Sequence, residues 1–289
     1  MLDARERCDP LVVGGAQRSR TAQGVAAERA VLTEMGVLAD SYARTMLTPS
    51  WTAFVAVVEH WPFATRPWSV ARAGLAARVL WFDAHVVKAL DAGIEQVAVI
   101  GAGYDSRAWR LRRDGVQFFE LDHHATQRDK RRRAPGPGPT YVEADLRTES
   151  AAKALRGHGL DPSGPALFVL EGVTMYLSEK IVRGQIGELA KSSAPGSRIA
   201  LDFSPPPQVG TSRDRRLMRQ QRLARVGSGE TLKLRIDRLE AVELVEASGW
   251  DANDVTSLRD AARALVPRES GLPIDAMSEH KTLVAGRHA

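Results

Sequence analysis

The chain has 289 residues, of which 44% are hydrophobic, and it carries a net charge of +5 and one cysteine. A chain of this length can bury a large core as one domain, so no second domain is needed. No segment approaches the roughly 20 apolar residues of a membrane span, and the N-terminal MLDARERCDP lacks the apolar segment of a signal peptide. Because Cys8 has no second cysteine to pair with, we expect a cytoplasmic protein without internal disulfides.

The sequence pattern divides a single predicted domain, 1–289, into four consecutive parts. Residues 1–92 form a predicted helical cap, because apolar residues recur at helical spacing in GVAAERAVLTEMGVLADSYA and LAARVLWFDAHVVKAL. Residues 93–203 alternate strand and helix patterns, and SPPPQVG then opens a basic, helical lid insert over 204–230. Residues 231–289 are predicted to complete the sheet with TLKLRI, the helix RLEAVELVEASGW and a last strand near HKTLVAG.

The most informative stretch is QVAVIGAGYDSRAWR, residues 96–110. Its apolar run predicts a buried strand that breaks at Gly101-Ala102-Gly103 into a tight turn and a short helix. The next predicted strand, FFELD, ends at Asp122, whose carboxylate can accept hydrogen bonds from the two hydroxyls of a ribose. A glycine turn followed by an acidic strand end is typical of a nucleotide site in a doubly wound sheet.

The residues after the glycines narrow the choice of nucleotide. A dinucleotide fingerprint requires a third glycine or an alanine, and an open helix N-terminus for the pyrophosphate. This chain has Ser106 at that position, preceded by Tyr104 and Asp105. S-adenosyl-L-methionine contains a ribose and an adenine but no phosphate, so it suits this turn better than a pyrophosphate ligand does.

Acidic residues follow two further predicted strands. TYVEADL ends in Asp145-Leu146, and PALFVLEGVTMYL contains Glu171-Gly172 after its apolar run. Ligands of open α/β sheets bind at the carboxyl ends of the strands, where Asp122, Asp145 and Glu171 would lie along one edge. The pattern therefore predicts that the three acids line one ligand cleft.

Three other motifs indicate different chemistry, and we set each aside. Asp122-His123-His124 spells a phosphoesterase metal motif, but successive strand residues point to opposite faces and no second acidic motif accompanies it, so no metal is predicted. The basic run 128–133 lacks interleaved aromatic residues, so no nucleic-acid partner is predicted. Tyr176 and Lys180 have the spacing of a dehydrogenase pair, but a whole strand separates them from Ser163.

Several segments of the chain resemble those of a known family. It looks like the leucine carboxyl methyltransferase family, and more closely its bacterial branch of S-adenosyl-L-methionine-dependent methyltransferases, which includes polyketide carboxyl O-methyltransferases. The matching segments, between residues 19 and 183, are SRTAQGVAAERA, GLAARVLWFD, VIGAGYDSRAWRL, FFELDHHATQRDKRR, VEADLRTES and LFVLEGVTMYLSEK. The resemblance implies an α/β fold: a Rossmann-like class I methyltransferase sheet with an N-terminal helical cap, an inserted helical lid and a cofactor-binding core at 93–203.

The resemblance also implies roles for residues that would bind S-adenosyl-L-methionine. Arg78 matches the arginine that pairs with the methionyl carboxylate of the cofactor, a contact suited to a guanidinium. Gly101, with Gly103 beside it in the turn, matches the glycine that passes beneath the cofactor. Asp122 matches the acid that binds the ribose.

Five more positions complete the expected site. Asp145 and Leu146 match the adenine contacts, a carboxylate that accepts from the exocyclic amine beside an apolar side chain. Glu171 matches the acid near the methionyl end. Tyr104 in the glycine turn and Tyr176 after Glu171 are candidate substrate contacts.

The family resemblance favours methyl transfer to a carboxylate of a small molecule. Such an acceptor is already anionic at neutral pH and needs no general base. A hydroxyl acceptor would need one, for which His123, His124 and Tyr176 are candidates, so no catalytic residue is assigned. Two other classes stay open: an NAD(P)-dependent oxidoreductase, and a protein that binds the cofactor without turnover.

Overall fold

The computed structural model describes residues 19–61, 69–206, 231–279 and 281–288. The strands of its sheet are β1 Gln96–Ile100, β2 Gln117–Asp122, β3 Thr140–Glu143, β4 Ala166–Leu170, β5 Arg198–Phe203, β6 Asp251–Ser257 and β7 Thr282–Arg287. The α-helices are α1 Arg20–Glu34, α2 Pro49–His60, α3 Ser69–Asp91, α4 Arg107–Arg110, α5 His124–Arg131, α6 Ala151–Gly157, α7 Glu179–Lys191, α8 Arg238–Glu246 and α9 Leu258–Leu265. Within these described ranges, four short 3-10 helices lie at Arg44–Met46, Thr174–Tyr176, Arg268–Ser270 and Ile274–Ala276.

The sheet has seven strands in the order β3-β2-β1-β4-β5-β7-β6. Strands β1 to β5 are parallel, whereas β7 runs antiparallel between β5 and β6. The chain order reverses between β1 and β4, so the carboxyl ends of these two central strands form the crevice in which open α/β sheets bind ligands. The predicted α/β sheet is therefore present.

The central strands are buried on both faces, which explains their continuous apolar sequences. Along β1, Val97 and Val99 pack into one core with α1, α2, α3 and α9, while Ala98 and Ile100 pack into a second core with α6, α7 and α8. This alternation follows from the two-residue period of a strand. The sheet thus forms the middle of three layers.

The N-terminal helices lie within the predicted cap region. Ser19 begins α1, where its side chain accepts a hydrogen bond from the Ala22 backbone at 3.0 Å. The long helix α3 buries Ala73, Ala76 and Phe82 in the core beneath the sheet. Of the predicted lid at 204–230, residues 207–230 lie outside the described part of the chain, so the lid and the four-part division of the domain stay predictions.

In the C-terminal part, the predicted helix and last strand are present as α8 and β7, but the predicted strand TLKLRI is not. Segment 231–236, TLKLRI, is not a strand: Leu234 and Ile236 are buried, but the Lys233 and Ile236 N–H groups donate to Met175 and Ser204 carbonyls. The strand beside β7 is instead β6, whose sequence DANDVTS is polar because it lies at the edge of the sheet. Among the helices described here, none is both long and apolar enough to cross a membrane.

Candidate cofactor site

The glycine turn follows β1 at the carboxyl edge of the sheet. Gly101 and Gly103 have φ values of +69° and +52°, a region that glycine adopts without strain. A Cβ at Gly101 would lie 2.3 Å from Val173 Cγ2, and one at Gly103 would lie 2.9 Å from Ala22 Cβ. Both backbone conformation and close packing therefore require glycine at these two positions.

Asp122 ends β2 directly beside this turn. Its Oδ2 accepts the Gly103 N–H at 2.6 Å, and its Oδ1 accepts the His123 N–H at 2.6 Å. Burial raises the pKa of Asp122, and the two backbone N–H groups partly offset that effect. A carboxylate oxygen has two lone pairs, so each oxygen can still accept one hydrogen bond from a ligand hydroxyl.

Glu171 follows β4 on the other side of the turn and is held by two arginines. Arg78 of α3 donates its Nε–H to Glu171 Oε1 at 2.9 Å, and Arg107 of α4 donates from Nη2 to Oε2 at 2.6 Å. The side chains of Arg78 and Glu171 are 14% and 11% exposed. Arg78 and Glu171, which were each predicted to bind the cofactor, are thus brought together, and they form an ion pair with each other.

The ion pair extends deeper into the protein. Asp202 at the end of β5 accepts the Gly172 N–H at 2.6 Å, and Lys281 Nζ lies 2.7 Å from Asp202 Oδ2. Burial raises the pKa of Asp202, but Lys281 and Arg78 outweigh burial and hold this pKa below its usual value. Lys281, Asp202, Arg78 and Glu171 therefore alternate in charge along the edge of the sheet.

On the opposite side of Glu171, the chain of charges continues through Arg107. Its guanidinium contacts Asp83 at 2.7 Å and Asp105 at 2.5 Å in addition to Glu171. Arg110 then contacts Asp83 at 2.6 Å. Burial lowers the pKa of Arg107, but the three carboxylates raise it well above its ordinary value, so this group is a permanent cation.

The predicted adenine contacts lie beyond the end of β3. Strand β3 ends at Glu143, and the Ala144 N–H donates to the Asp122 carbonyl at 3.1 Å, which places Asp145 next to the end of β2. The Asp145 carboxylate accepts from Arg147 at 2.6 to 3.1 Å, and this bond holds the pKa of Asp145 below its usual value. Leu146 is 8% exposed and packs into the second core.

The two candidate substrate tyrosines differ in environment. Tyr104 is only 2% exposed, and its hydroxyl donates to Asp129 Oδ2 at 2.6 Å, so this geometry does not favour the predicted substrate contact. Tyr176 lies half-buried in the 3-10 helix that follows Glu171, within electrostatic range of the Arg78 guanidinium. Of the two residues, Tyr176 is the better candidate.

Arg107, Asp202 and Lys281 were not identified from the sequence. A signal exists for Asp202, because it is the one acidic residue in the otherwise apolar segment IALDF. Arg107 and Lys281 give no such local signal, since their partners lie far away in the chain. In the described part of the chain, no group of three or more histidine, cysteine, aspartate and glutamate residues could hold a metal ion.

The residues at this edge fit S-adenosyl-L-methionine. The two free acceptor positions of Asp122 match the two hydroxyl donors of a ribose, which lie on adjacent carbons. The Arg78 cation and the Glu171 anion match the carboxylate and the ammonium of an α-amino acid. The glycine turn lies between these two sites, where the nucleoside joins the amino acid, and its glycines contribute no side chains of their own to this edge.

Comparisons with solved structures support the fold. A crystal structure of a DUF574 family protein from Streptomyces avermitilis covers 94% of this chain and 98% of its own, with a TM-score of 0.62 and 14% identity. A crystal structure described as a putative methyltransferase from Thermobifida fusca covers 96% and 97%, with a TM-score of 0.58 and 17% identity. These likenesses confirm the predicted fold.

Comparisons of sequence identify the family. The family model for leucine carboxyl methyltransferase matches residues 22–189. A Mycolicibacterium smegmatis protein named "Putative S-adenosyl-L-methionine-dependent methyltransferase" is 31% identical over 268 residues, 84% of each chain. A Mycobacterium marinum protein of the same name is 30% identical over 280 residues, 86% of this chain and 87% of its own. The predicted resemblance and cofactor are confirmed: the chain belongs to the leucine carboxyl methyltransferase family of S-adenosyl-L-methionine-dependent methyltransferases.

Proposed function

We propose that this protein transfers a methyl group from S-adenosyl-L-methionine to a carboxylate oxygen of a small molecule. The observation that carries the proposal is the pair of acidic strand ends beside the glycine turn. Asp122 retains acceptor positions for a ribose, and Glu171 is held in an ion pair with Arg78 for the amino-acid end. The family's description as a carboxyl methyltransferase supports a carboxylate acceptor.

The chain's own residues would act by binding and orienting the two reactants. When bound, S-adenosyl-L-methionine supplies an electrophilic methyl group, which the acceptor oxygen attacks while the C–S bond breaks and its electron pair stays on sulfur. Asp122 would hold the ribose, Arg78 and Glu171 the amino-acid end, and Asp145 and Leu146 the adenine. Proximity and exclusion of water would then provide most of the rate enhancement.

A carboxylate acceptor requires no proton transfer by the protein. A hydroxyl acceptor is the second candidate, and the observation that bears on it is the environment of His123, which is a candidate general base. Burial lowers the pKa of His123, with His124 as the next cause, so this imidazole is neutral at pH 7 and could accept a proton. Its Nδ1 accepts the Ala125 N–H at 3.3 Å, so in this tautomer Nε2 carries the hydrogen, and the ring would have to change tautomer before Nε2 could accept a proton.

Binding and turnover can be tested separately. Calorimetric titration should detect binding of S-adenosylhomocysteine but not of NAD. Asp122→Ala should abolish the binding of S-adenosylhomocysteine. The matched control Asp114→Ala, at an exposed position, should leave this binding unchanged. Binding of NAD alone would instead indicate the oxidoreductase class.

Transfer of labelled methyl groups should then be measured against panels of small carboxylic acids and phenols. Turnover with acids only supports the proposal, and turnover with phenols only indicates a hydroxyl acceptor. Binding of S-adenosylhomocysteine without turnover on either panel would favour a cofactor-binding protein.

A further inference from the structure

We infer that Arg107 is a positioning residue that gives the site its selectivity for the amino-acid end of the cofactor, acting through Glu171. The inference rests on the proposed function. It concerns a residue that does not itself bind the nucleoside and that the sequence did not single out. Its support is geometric, and it comes from three charged contacts on one buried side chain.

The Arg107 side chain is 1% exposed and reaches three different elements. Its Nε donates to Asp83 of α3 at 2.7 Å, its Nη1 to Asp105 of the glycine turn at 2.5 Å, and its Nη2 to Glu171 after β4 at 2.6 Å. A guanidinium is planar, and its donors point in fixed directions. Two of the three contacts therefore fix the direction from which the third reaches Glu171.

Asp105 strengthens this arrangement from within the turn. Its Oδ1 accepts the Arg107 backbone N–H at 2.7 Å while Oδ2 accepts from the side chain of the same residue. The carboxylate of Asp105 is thus bound by both ends of Arg107. Because Asp105 lies two residues after Gly103, the position of Arg107 is tied to the position of the turn.

Glu171 is consequently held from two sides. Arg107 binds Oε2 and Arg78 binds Oε1, so the carboxylate cannot rotate without breaking a charge-assisted hydrogen bond. Each oxygen keeps a second acceptor position for the ammonium of an amino acid. In the described part of the chain, the hydrogen bond that Arg78 makes uses only its Nε, and its Nη1 lies 3.9 Å from Asp202 Oδ2, beyond hydrogen-bond distance, so the terminal nitrogens keep N–H groups that a ligand carboxylate could accept from.

A lysine at position 107 would keep the positive charge but lose the planar guanidinium, whose donors point in fixed directions. A single ammonium on a flexible stem cannot hold three carboxylates in fixed directions. Glu171 would then lose its second anchor, while Asp122 and the backbone of the turn would stay in place. The expected defect is therefore confined to ligands that carry the amino acid.

The test compares two ligands that share adenine, ribose and sulfur. S-adenosylhomocysteine carries the amino acid, and 5′-methylthioadenosine lacks it. We expect Arg107→Lys to weaken the binding of S-adenosylhomocysteine about tenfold, which is the effect of losing one hydrogen bond between charged groups. The binding of 5′-methylthioadenosine should weaken less than about twofold. As a matched control, Arg72→Lys alters a buried arginine that pairs with Glu28 at 2.7 Å and should change neither affinity.

A double-mutant cycle shows whether Arg107 acts through Glu171. In a Glu171→Gln background, Arg107→Lys should cause no further loss of preference for S-adenosylhomocysteine, because the anchored group is already altered. Additive losses would overturn the inference. Equal weakening of both ligands, or no weakening of either, would also overturn it.

A second variant covers the case in which Arg107→Lys does not fold. Asp83→Asn removes the charge that anchors Nε and should reduce the same preference in the same direction, and an unchanged preference would contradict the inference. Failure of the proposed function gives a different result: wild-type protein that binds neither ligand would contradict cofactor binding, and wild-type protein that binds S-adenosylhomocysteine but methylates no carboxylic acid would contradict the carboxylate acceptor.

Discussion

The Gly103 N–H donates to Asp122 Oδ2 at 2.6 Å, so the glycine turn and the acidic end of β2 are hydrogen-bonded to each other. The two features that indicate a nucleotide site in the sequence are therefore one structural unit. Asp122 supports the turn with one lone pair of each oxygen and keeps the others for a ligand. Changes at Asp122 should accordingly affect stability as well as binding.

Asp122→Asn should destabilise the protein even without ligand. An asparagine replaces one acceptor oxygen by an NH₂ group, so either the Gly103 or the His123 N–H would face a donor. A buried donor without an acceptor costs about 1 to 3 kcal/mol. Urea unfolding should detect this loss, and Asp114→Asn at an exposed position should show none. Equal stability of Asp122→Asn and the wild type would contradict the observed bonds.

Gly101→Ala should destabilise the fold by about 2 to 4 kcal/mol, from left-handed backbone strain together with overpacking. The added Cβ would lie 2.3 Å from Val173 Cγ2. Gly93→Ala is the matched control, because Gly93 has a φ of +83° but no atom within 4 Å of the added Cβ. Thermal unfolding should show a smaller loss of stability for Gly93→Ala than for Gly101→Ala. Adding Val173→Ala to Gly101→Ala should restore part of the lost stability.

Lys130→Met should be one of the most destabilising single changes. Lys130 and Glu120 form a buried ion pair in which both side chains are 0% exposed. Removing the lysine leaves a buried carboxylate without its partner, which costs about 3 to 5 kcal/mol. Lys130→Met together with Glu120→Gln should cost less than Lys130→Met alone, as measured by urea unfolding.

The effect of Lys130→Met should also depend on pH. Burial raises the pKa of Glu120 to about 7 even beside Lys130. A raised pKa in the folded state means that the neutral form is favoured, so stability is retained at low pH and lost as pH rises. The loss in Lys130→Met should therefore be smaller at pH 5 than at pH 8. A loss that is the same at both values would show that Glu120 does not ionise in this range.

His85 should make folding less favourable in acid. Burial lowers the pKa of His85 from 6.5 to about 4, although Asp254 lies 3.3 Å away. Between these values the unfolded chain binds a proton that the folded protein excludes, so stability falls as pH decreases from 6.5 towards 4. The full shift corresponds to about 3 kcal/mol. The wild type should lose more stability than His85→Gln over this interval, and parallel pH profiles would refute the assignment.

Much of the fold could be predicted because the central strands are buried on both faces. Their sequences, such as QVAVI and ALFVL, are continuous apolar runs that end at glycine or acidic residues. The edge strand β6 lacks that pattern, since half of its surroundings are solvent. Segment 231–236 shows the opposite case: apolar residues pack into the core, while their backbone N–H groups donate to a 3-10 helix and to the loop after β5 instead of to a strand.

The candidate site could be predicted only where its signal is local. The glycine turn, Asp122 and Glu171 are each recognisable next to an apolar strand. The ion pairs are not, because Arg78 and Glu171 are 93 positions apart and Arg107 and Glu171 are 64 apart. Sequence patterns report which residues end a strand, whereas the pairing of buried charges depends on how distant segments pack.

The antiparallel direction of β7 has a consequence for the order in which contacts can form during synthesis of the chain. Because β7 runs opposite to β5, its first residues lie at the same edge as Asp202, and Lys281 reaches that carboxylate from there. Lys281 must therefore be synthesised, together with all residues before it, before this lysine can pair with Asp202. Until then, the nascent chain holds a strand edge on β5 that is still exposed and a carboxylate that lacks this partner.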